Sequence, residues 1–128
     1  MLTVDDQPPF LEAARALIAS TPGFELAGEA TSGEEAIAAV DALKPDMVLL
    51  DIRMPGLDGI ETARRLHDAH AETVVVLVSG HDVADVQVLA EHSGAVAVVL
   101  KERLQPALLQ SLWARHRGNG APSFPSQV

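Results

Sequence analysis

Short apolar runs recur along the chain at intervals of about 22 to 26 residues, beginning near Leu2, Phe24, Met47, Thr73 and Ala95. Between them, apolar residues fall at helical spacing: Phe10, Ala13, Ala14, Leu17 and Ile18, then Ala36, Ile37, Val40 and Leu43, then Ile60, Ala63 and Leu66. Stripes at i, i+3 and i+4 predict amphipathic helices with one face on a core. Val83, Val86, Leu89 and Ala90 predict a fourth helix over 82–92, and Leu108, Leu109, Leu112 and Trp113 a fifth over 105–117. Strands three to five contain MVLL, VVVLV and AVAVVL, apolar at every position. A parallel sheet covered by helices on both sides requires this pattern. The second run, FELAGEA, alternates and belongs at a sheet edge. Strands alternating with helices define an α/β domain.

The punctuation agrees. Ser32 before Gly33-Glu34-Glu35 is a helix-capping residue followed by acids, which a positive helix end favours. Asp58 can cap the third helix, Pro45 closes the second, Gly94 suits the end of the fourth, and Pro106 fits the first turn of the fifth. Gly118 is expected to end that last helix, and residues 118–128 (GNGAPSFPSQV) have the composition of a flexible tail. One domain over residues 1–117 is the expectation, within the usual size of about 100–150 residues.

Composition narrows the function. Apolar residues make up 48% of the chain, enough for a packed core and against disorder. There is no cysteine, which removes disulfides, thiol nucleophiles and Cys-ligated zinc. Eighteen acids against nine bases give a net charge of -9, a balance unsuited to nucleic-acid phosphates or anionic lipid. The longest apolar runs, Val74–Val78 and Ala95–Leu100, fall far short of a span of ~20 residues. Acids at Asp5 and Asp6 interrupt any secretory signal. A soluble cytoplasmic domain without direct membrane or nucleic-acid contact is expected.

The informative polar residues stand where strands end. Strand one runs into Asp5 and Asp6, strand three into Asp51, strand four into Ser79 and strand five into Lys101. Strand C-termini of an open parallel sheet share one edge, where the ligand crevice forms. Clustered carboxylates repel unless a cation resolves the repulsion. A hard divalent ion preferring oxygen fits, Mg²⁺ being usual beside phosphate. A lysine and a hydroxyl next to it can neutralise and orient a phosphoryl group, and an aspartate can be the nucleophile. Taken singly, each of these residues reads as an ordinary cap, turn or solvated strand end. Their joint placement at four strand exits is what carries the chemistry.

Four segments, VDDQP at 4–8, VLLDIRMPGLDGIE at 48–61, VLVSG at 76–80 and GAVAVVLKE at 94–102, resemble the receiver domain of two-component response regulators. The wording RMPGLDGIE and LKE is similar to receivers attached to helix-turn-helix effectors. The resemblance spans about residues 2–117 and implies a flavodoxin-like (βα)5 doubly wound fold, with a five-stranded parallel sheet in order 2-1-3-4-5. It implies that Asp51 is the phosphoacceptor, served by a sensor histidine kinase or a phosphotransfer protein. Asp6 is implied as the direct Mg²⁺ ligand, Asp5 as acting mainly through water, and the Arg53 backbone carbonyl as a third protein ligand. Ser79 matches the switch hydroxyl and Lys101 the lysine that pairs with phosphate. Pro55 and Gly56 shape the loop after the acceptor strand. Such a domain is a signalling module that assists its own phosphorylation and dephosphorylation rather than an enzyme with turnover. Its output is implied to be a downstream protein or self-association through helix four, strand five and helix five, and its kinase-side partner docks beside helix one, near Pro8, Pro9 and Phe10.

The chain departs from the pattern at Val98, where the family commonly has an aromatic switch residue, and at Glu102, where many relatives have proline. Few residues precede the acidic pair on strand one. Two other readings stay open. An inert interaction module would keep the fold without phosphorylation. A metal-dependent phosphatase with an aspartyl nucleophile would carry a second Asp two residues on, where this chain has Arg53. His67 and His70 lie i, i+3 and could grip a metal, but read better as surface residues; His81 reads as a loop histidine near the phosphoryl site. Leu109 and Trp113 read as core residues rather than a partner surface.

Overall fold

The computed structural model describes residues 1–80 and 90–117. Five parallel strands form one sheet in the order β2-β1-β3-β4-β5: Leu2–Val4 (β1), Gly28–Ala30 (β2), Met47–Asp51 (β3), Val74–Ser79 (β4) and Ala97–Leu100 (β5). Helices Pro8–Ala19 (α1), Gly33–Leu43 (α2) and Gly59–Ala69 (α3) connect the first four, and Pro106–His116 is the C-terminal helix. The expected order and α/β class hold. Of the predicted fourth helix, residues 90 and 91 are helical and 92–94 form a turn; its earlier part lies outside the described residues, as do His81, Gly118 and the expected tail.

Strands β3, β4 and β5 each feed two cores, whereas β1 and β2 feed only the first. On β3, Val48 and Leu50 point to one face and Met47 and Leu49 to the other; on β4, Val75 and Leu77 oppose Val74, Val76 and Val78. The first core is closed by Ala36 and Val40 of α2 and Ala63 and Leu66 of α3. The second is closed by Ile18 of α1 and Leu109 and Leu112 of the C-terminal helix. This two-sided burial explains why strands three to five show no alternation. Val98, at the position expected to differ from relatives, is buried in the first core. Leu109 is fully buried and Trp113 packs on the second core, as their helical stripe predicts.

The second strand is the edge strand, but it is shorter than FELAGEA suggested. Only Gly28–Ala30 pair regularly with β1, while residues 24–27 lead in without forming strand. A backbone bond from Ala27 N–H to the Met1 carbonyl (2.7 Å) ties this lead-in to β1. An edge strand has one neighbour to pair with, so its ends are set by few bonds.

Helix starts follow the capping residues. Ser32 Oγ accepts from Glu35 N–H at 3.1 Å, and Glu35 reaches back to Thr31 N–H at 2.9 Å. Asp58 Oδ1 accepts from Glu61 N–H at 2.9 Å. Pro8 and Pro106 lie in the first turns of their helices. α2 closes on Lys44, whose φ of 47° is left-handed, directly before Pro45. Gly94 has φ +88°, and a Cβ there would meet the His67 ring at 2.3 Å, so the turn after the fourth helix packs directly on α3. His67 and His70 are both half-buried. His70 Nε2 pairs with Asp41 of α2 at 2.6 Å.

Candidate functional site

Strand register builds the site. Val4 pairs with Leu50, so Asp5 and Asp51 follow on neighbouring strands, and β1 lies where the chain reverses direction across the sheet. Asp51 pairs with Val78, and Ser79 with Leu100, directly before Lys101. Asp5, Asp6 and Asp51 offer carboxylate oxygens that all lie within 4.8 Å of one another. Asp5 and Ser79 are buried, Asp51 is 5% exposed, and Asp6 opens to solvent. Lys101 Nζ lies 2.7 Å from Asp5 Oδ2 and 3.6 Å from Asp51 Oδ1. Its side chain passes the backbone of Gly80, whose Cβ, if present, would touch Lys101 Cδ at 4.0 Å. Asp5, Asp6, Asp51 and Lys101 thus converge on one rim, and Ser79 stands at the end of the adjoining strand, paired with the residue before Lys101. Arg53 follows, exposed, in the loop after β3, and its backbone amide favours the charged form of the Asp51 carboxylate.

Two glycines serve this loop. Gly56 has φ +77°, a conformation L side chains rarely adopt. At Gly59 a Cβ would lie 2.1 Å from the Asp51 carbonyl oxygen, and its N–H donates to the Ile52 carbonyl at 2.9 Å. The start of α3 is therefore held against the end of β3, which fixes the backbone that carries Asp51. The role of Gly59 shows in the sequence only as part of DIRMPGLDGIE; the packing reason appears with the tertiary contact.

Electrostatics reflect the crowding. Burial, then the negative charge of Asp5, pushes the Asp51 carboxyl up to about 6, against the opposing pull of Lys101 and the Arg53 N–H. Asp5 is held from both sides, with Oδ1 accepting from Gln7 N–H at 2.8 Å and Oδ2 facing Lys101. Three carboxylates with one lysine leave the rim net negative, and the donors are all hard oxygen. That set fits a hard divalent cation better than a soft or transition metal. Among the described residues this is the cluster with metal-ligand geometry; His67 and His70 do not form one. A cavity of about 610 Å³ lies at the opposite, N-terminal edge of the sheet, lined by Met1, Phe24, Leu26, Leu43, Met47 and Trp113, away from this chemistry.

A fold of this order, with an acidic rim at its reversal point and a lysine beside the central carboxylate, defines a class. The response regulator receiver domain model matches residues 1–112, and the chain belongs to that family: it is a receiver domain of a two-component system. Among relatives, it is 37% identical over 114 residues to the nitrate/nitrite response regulator protein NarL of Escherichia coli, covering 88% of this chain and 52% of that one. It is 46% identical over 83 residues to the positive alginate biosynthesis regulatory protein of Pseudomonas aeruginosa, covering 64% of this chain and 34% of the relative. The chain thus spans about half the length of NarL, or less of the alginate regulator. The structure superposes on the signal receiver domain of the putative response regulator NarL from Mycobacterium tuberculosis with a TM-score of 0.82, 30% identity, and coverage of 92% and 95%. It also resembles a CheX-CheY-BeF3-Mg+2 complex from Borrelia burgdorferi, with a TM-score of 0.77, 27% identity, and coverage of 89% and 86%. No helix among the described residues is long and apolar enough to cross a membrane.

Proposed function

We propose that residues 1–117 work as a phosphoacceptor switch in which Asp51 takes a phosphoryl group from a histidine of a sensor kinase or phosphotransfer protein. The observation that carries the reading is the meeting of three carboxylates within 4.8 Å with Lys101 at 2.7 Å from one and 3.6 Å from another. Mg²⁺ is the cation this donor set would hold, through Asp6, Asp51 and the Arg53 carbonyl, with Asp5 acting through water. When bound it supplies charge neutralisation at the transferring phosphoryl oxygens.

The protein residues do the rest. An Asp51 carboxylate oxygen bonds to phosphorus as the phosphorus–nitrogen bond to the donor histidine breaks, and the imidazole leaves with its electron pair and takes a proton from solvent. The product is an acyl phosphate on Asp51. Lys101 pairs with the new phosphoryl oxygens in place of the carboxylate, and the Ser79 hydroxyl donates to another. Both sit at strand ends, so their shift moves the loops that follow β4 and β5. Docking of a downstream protein, or of a second copy, on the face of the fourth helix, β5 and the C-terminal helix reads that movement. The relative named as a nitrate/nitrite response regulator supports an output through an attached or recruited effector, and the net charge of -9 is unsuited to direct nucleic-acid contact by this chain. The relative captured with BeF3 and Mg+2 supports both the acceptor chemistry and the cation.

The test is incubation with Mg²⁺ and a small acyl phosphate, followed by intact mass. One added phosphoryl group is expected, absent in Asp51→Asn, absent under chelation, and released by hydroxylamine. An adduct that persists in Asp51→Asn, or none despite measured Mg²⁺ binding, overturns the assignment. Multiple-turnover release of phosphate from unrelated monoesters would favour the phosphatase reading instead.

A further inference from the structure

Lys101 has a neighbour besides the two carboxylates. Its Nζ stands 4.5 Å from the centroid of the Phe10 ring, within the ~6 Å at which a ring face attracts a cation. The ring is held from several sides. Pro8 and Pro9 occupy the first turn of α1, and Phe10 N–H donates to the Gln7 carbonyl at 3.1 Å. Phe10 is partly buried and packs against the second core, the cluster that includes Val99, Leu109 and Leu112. The same turn orients Asp5, whose Oδ1 accepts from Gln7 N–H. One short segment, residues 5–10, therefore carries both the carboxylate that Lys101 pairs with and the ring beneath its ammonium.

A lysine stem is flexible, and its ammonium is a point charge with no geometry of its own. Two carboxylates at unequal distances do not by themselves fix where it rests. We infer that Phe10 is a positioning residue whose ring holds the Lys101 ammonium between Asp5 and Asp51. The contact keeps the lysine at the acceptor before any phosphate arrives. Removing the ring leaves Lys101 spread over more rotamers, fewer of them beside Asp51. In rate terms the contact corresponds to about a 3- to 10-fold effect, as for a partly exposed cation–π pair. The rate consequence rests on Asp51 being the phosphoacceptor; the ring contact itself does not.

The chain has two lysines, Lys44 and Lys101, so protein labelled with ¹³C at lysine Cε gives two signals, assigned with Lys44→Arg. Lys44 is exposed and serves as the internal reference. The ε-proton signal of Lys101 is expected upfield of it through the ring current of Phe10, to lose that displacement in Phe10→Leu, and to regain it in Phe10→Trp. Coincident signals in the parent protein, or a displacement unchanged in Phe10→Leu, overturn the inference. With a small acyl phosphate and saturating Mg²⁺, Phe10→Leu is expected to phosphorylate about 3- to 10-fold more slowly and Phe10→Trp near the parent rate. Equal rates for Phe10→Leu and the parent refute the positioning role. The spectrum needs neither Mg²⁺ nor phosphate, so a parent protein that never phosphorylates fails the function proposed above while the displaced signal still decides the contact.

Discussion

Replacing Asp51 by Asn should stabilise the metal-free protein near neutral pH, although it removes the residue assigned the central chemical role. The carboxyl titrates at about 6 in the folded chain against 3.8 as its ordinary value, because burial and Asp5 disfavour its charge. Below about pH 4 the group is neutral both folded and unfolded, and its contribution is intact. As pH rises towards 6 the unfolded chain ionises first, so the folded state loses stability, and above 6 the loss is complete. Full linkage over that gap would be about 3 kcal/mol, at ~1.4 kcal/mol per unit. Asp6 opens the rim to water, and screening reduces the figure to about 1–2 kcal/mol. Asn has nearly the same shape without the charge. Urea unfolding in chelator should therefore show Asp51→Asn more stable by about 1–2 kcal/mol at pH 7.5, with the difference closing towards pH 4. The melting temperature should rise by roughly 3–8 °C. Added Mg²⁺ should stabilise the parent protein and leave the variant nearly unmoved. A variant less stable than the parent at pH 7.5, or a difference that does not vary with pH, would refute the account of charge crowding at the rim.

Other outcomes follow from particular contacts. Lys101→Met leaves the buried Asp5 carboxylate without its ammonium and should cost about 2–4 kcal/mol at pH 7, read by denaturant unfolding. Gly59→Ala drives a methyl into the Asp51 carbonyl and should cost at least about 2 kcal/mol while lowering phosphorylation, because the β3–α3 junction must shift. Asp58→Ala removes the α3 cap and should cost about 1 kcal/mol in the same measurement, with phosphorylation kept.

The strand–helix alternation, the caps at Ser32 and Asp58, the central strands and the residues at the strand exits can all be read from the order of residues alone. These are legible because each is a local property: side-chain periodicity, capping chemistry, and the uniform apolarity of strands covered on both sides. The second strand is shorter than its alternating pattern predicts, because backbone pairing ends an edge strand and pairing partners are not written in a local pattern. The site divides the same way. Asp5, Asp6, Asp51, Ser79 and Lys101 can be picked out one by one, yet a carboxyl titrating near 6 requires knowing that Asp5 is buried beside Asp51. Phe10 reads from its stripe as a core residue of α1, and only packing sets its ring against an ammonium ninety-one positions away in the chain. The reason is physical: periodicity and capping act within a turn or two of chain, whereas desolvation, charge coupling and ring–cation contact depend on distances that only the assembled sheet defines.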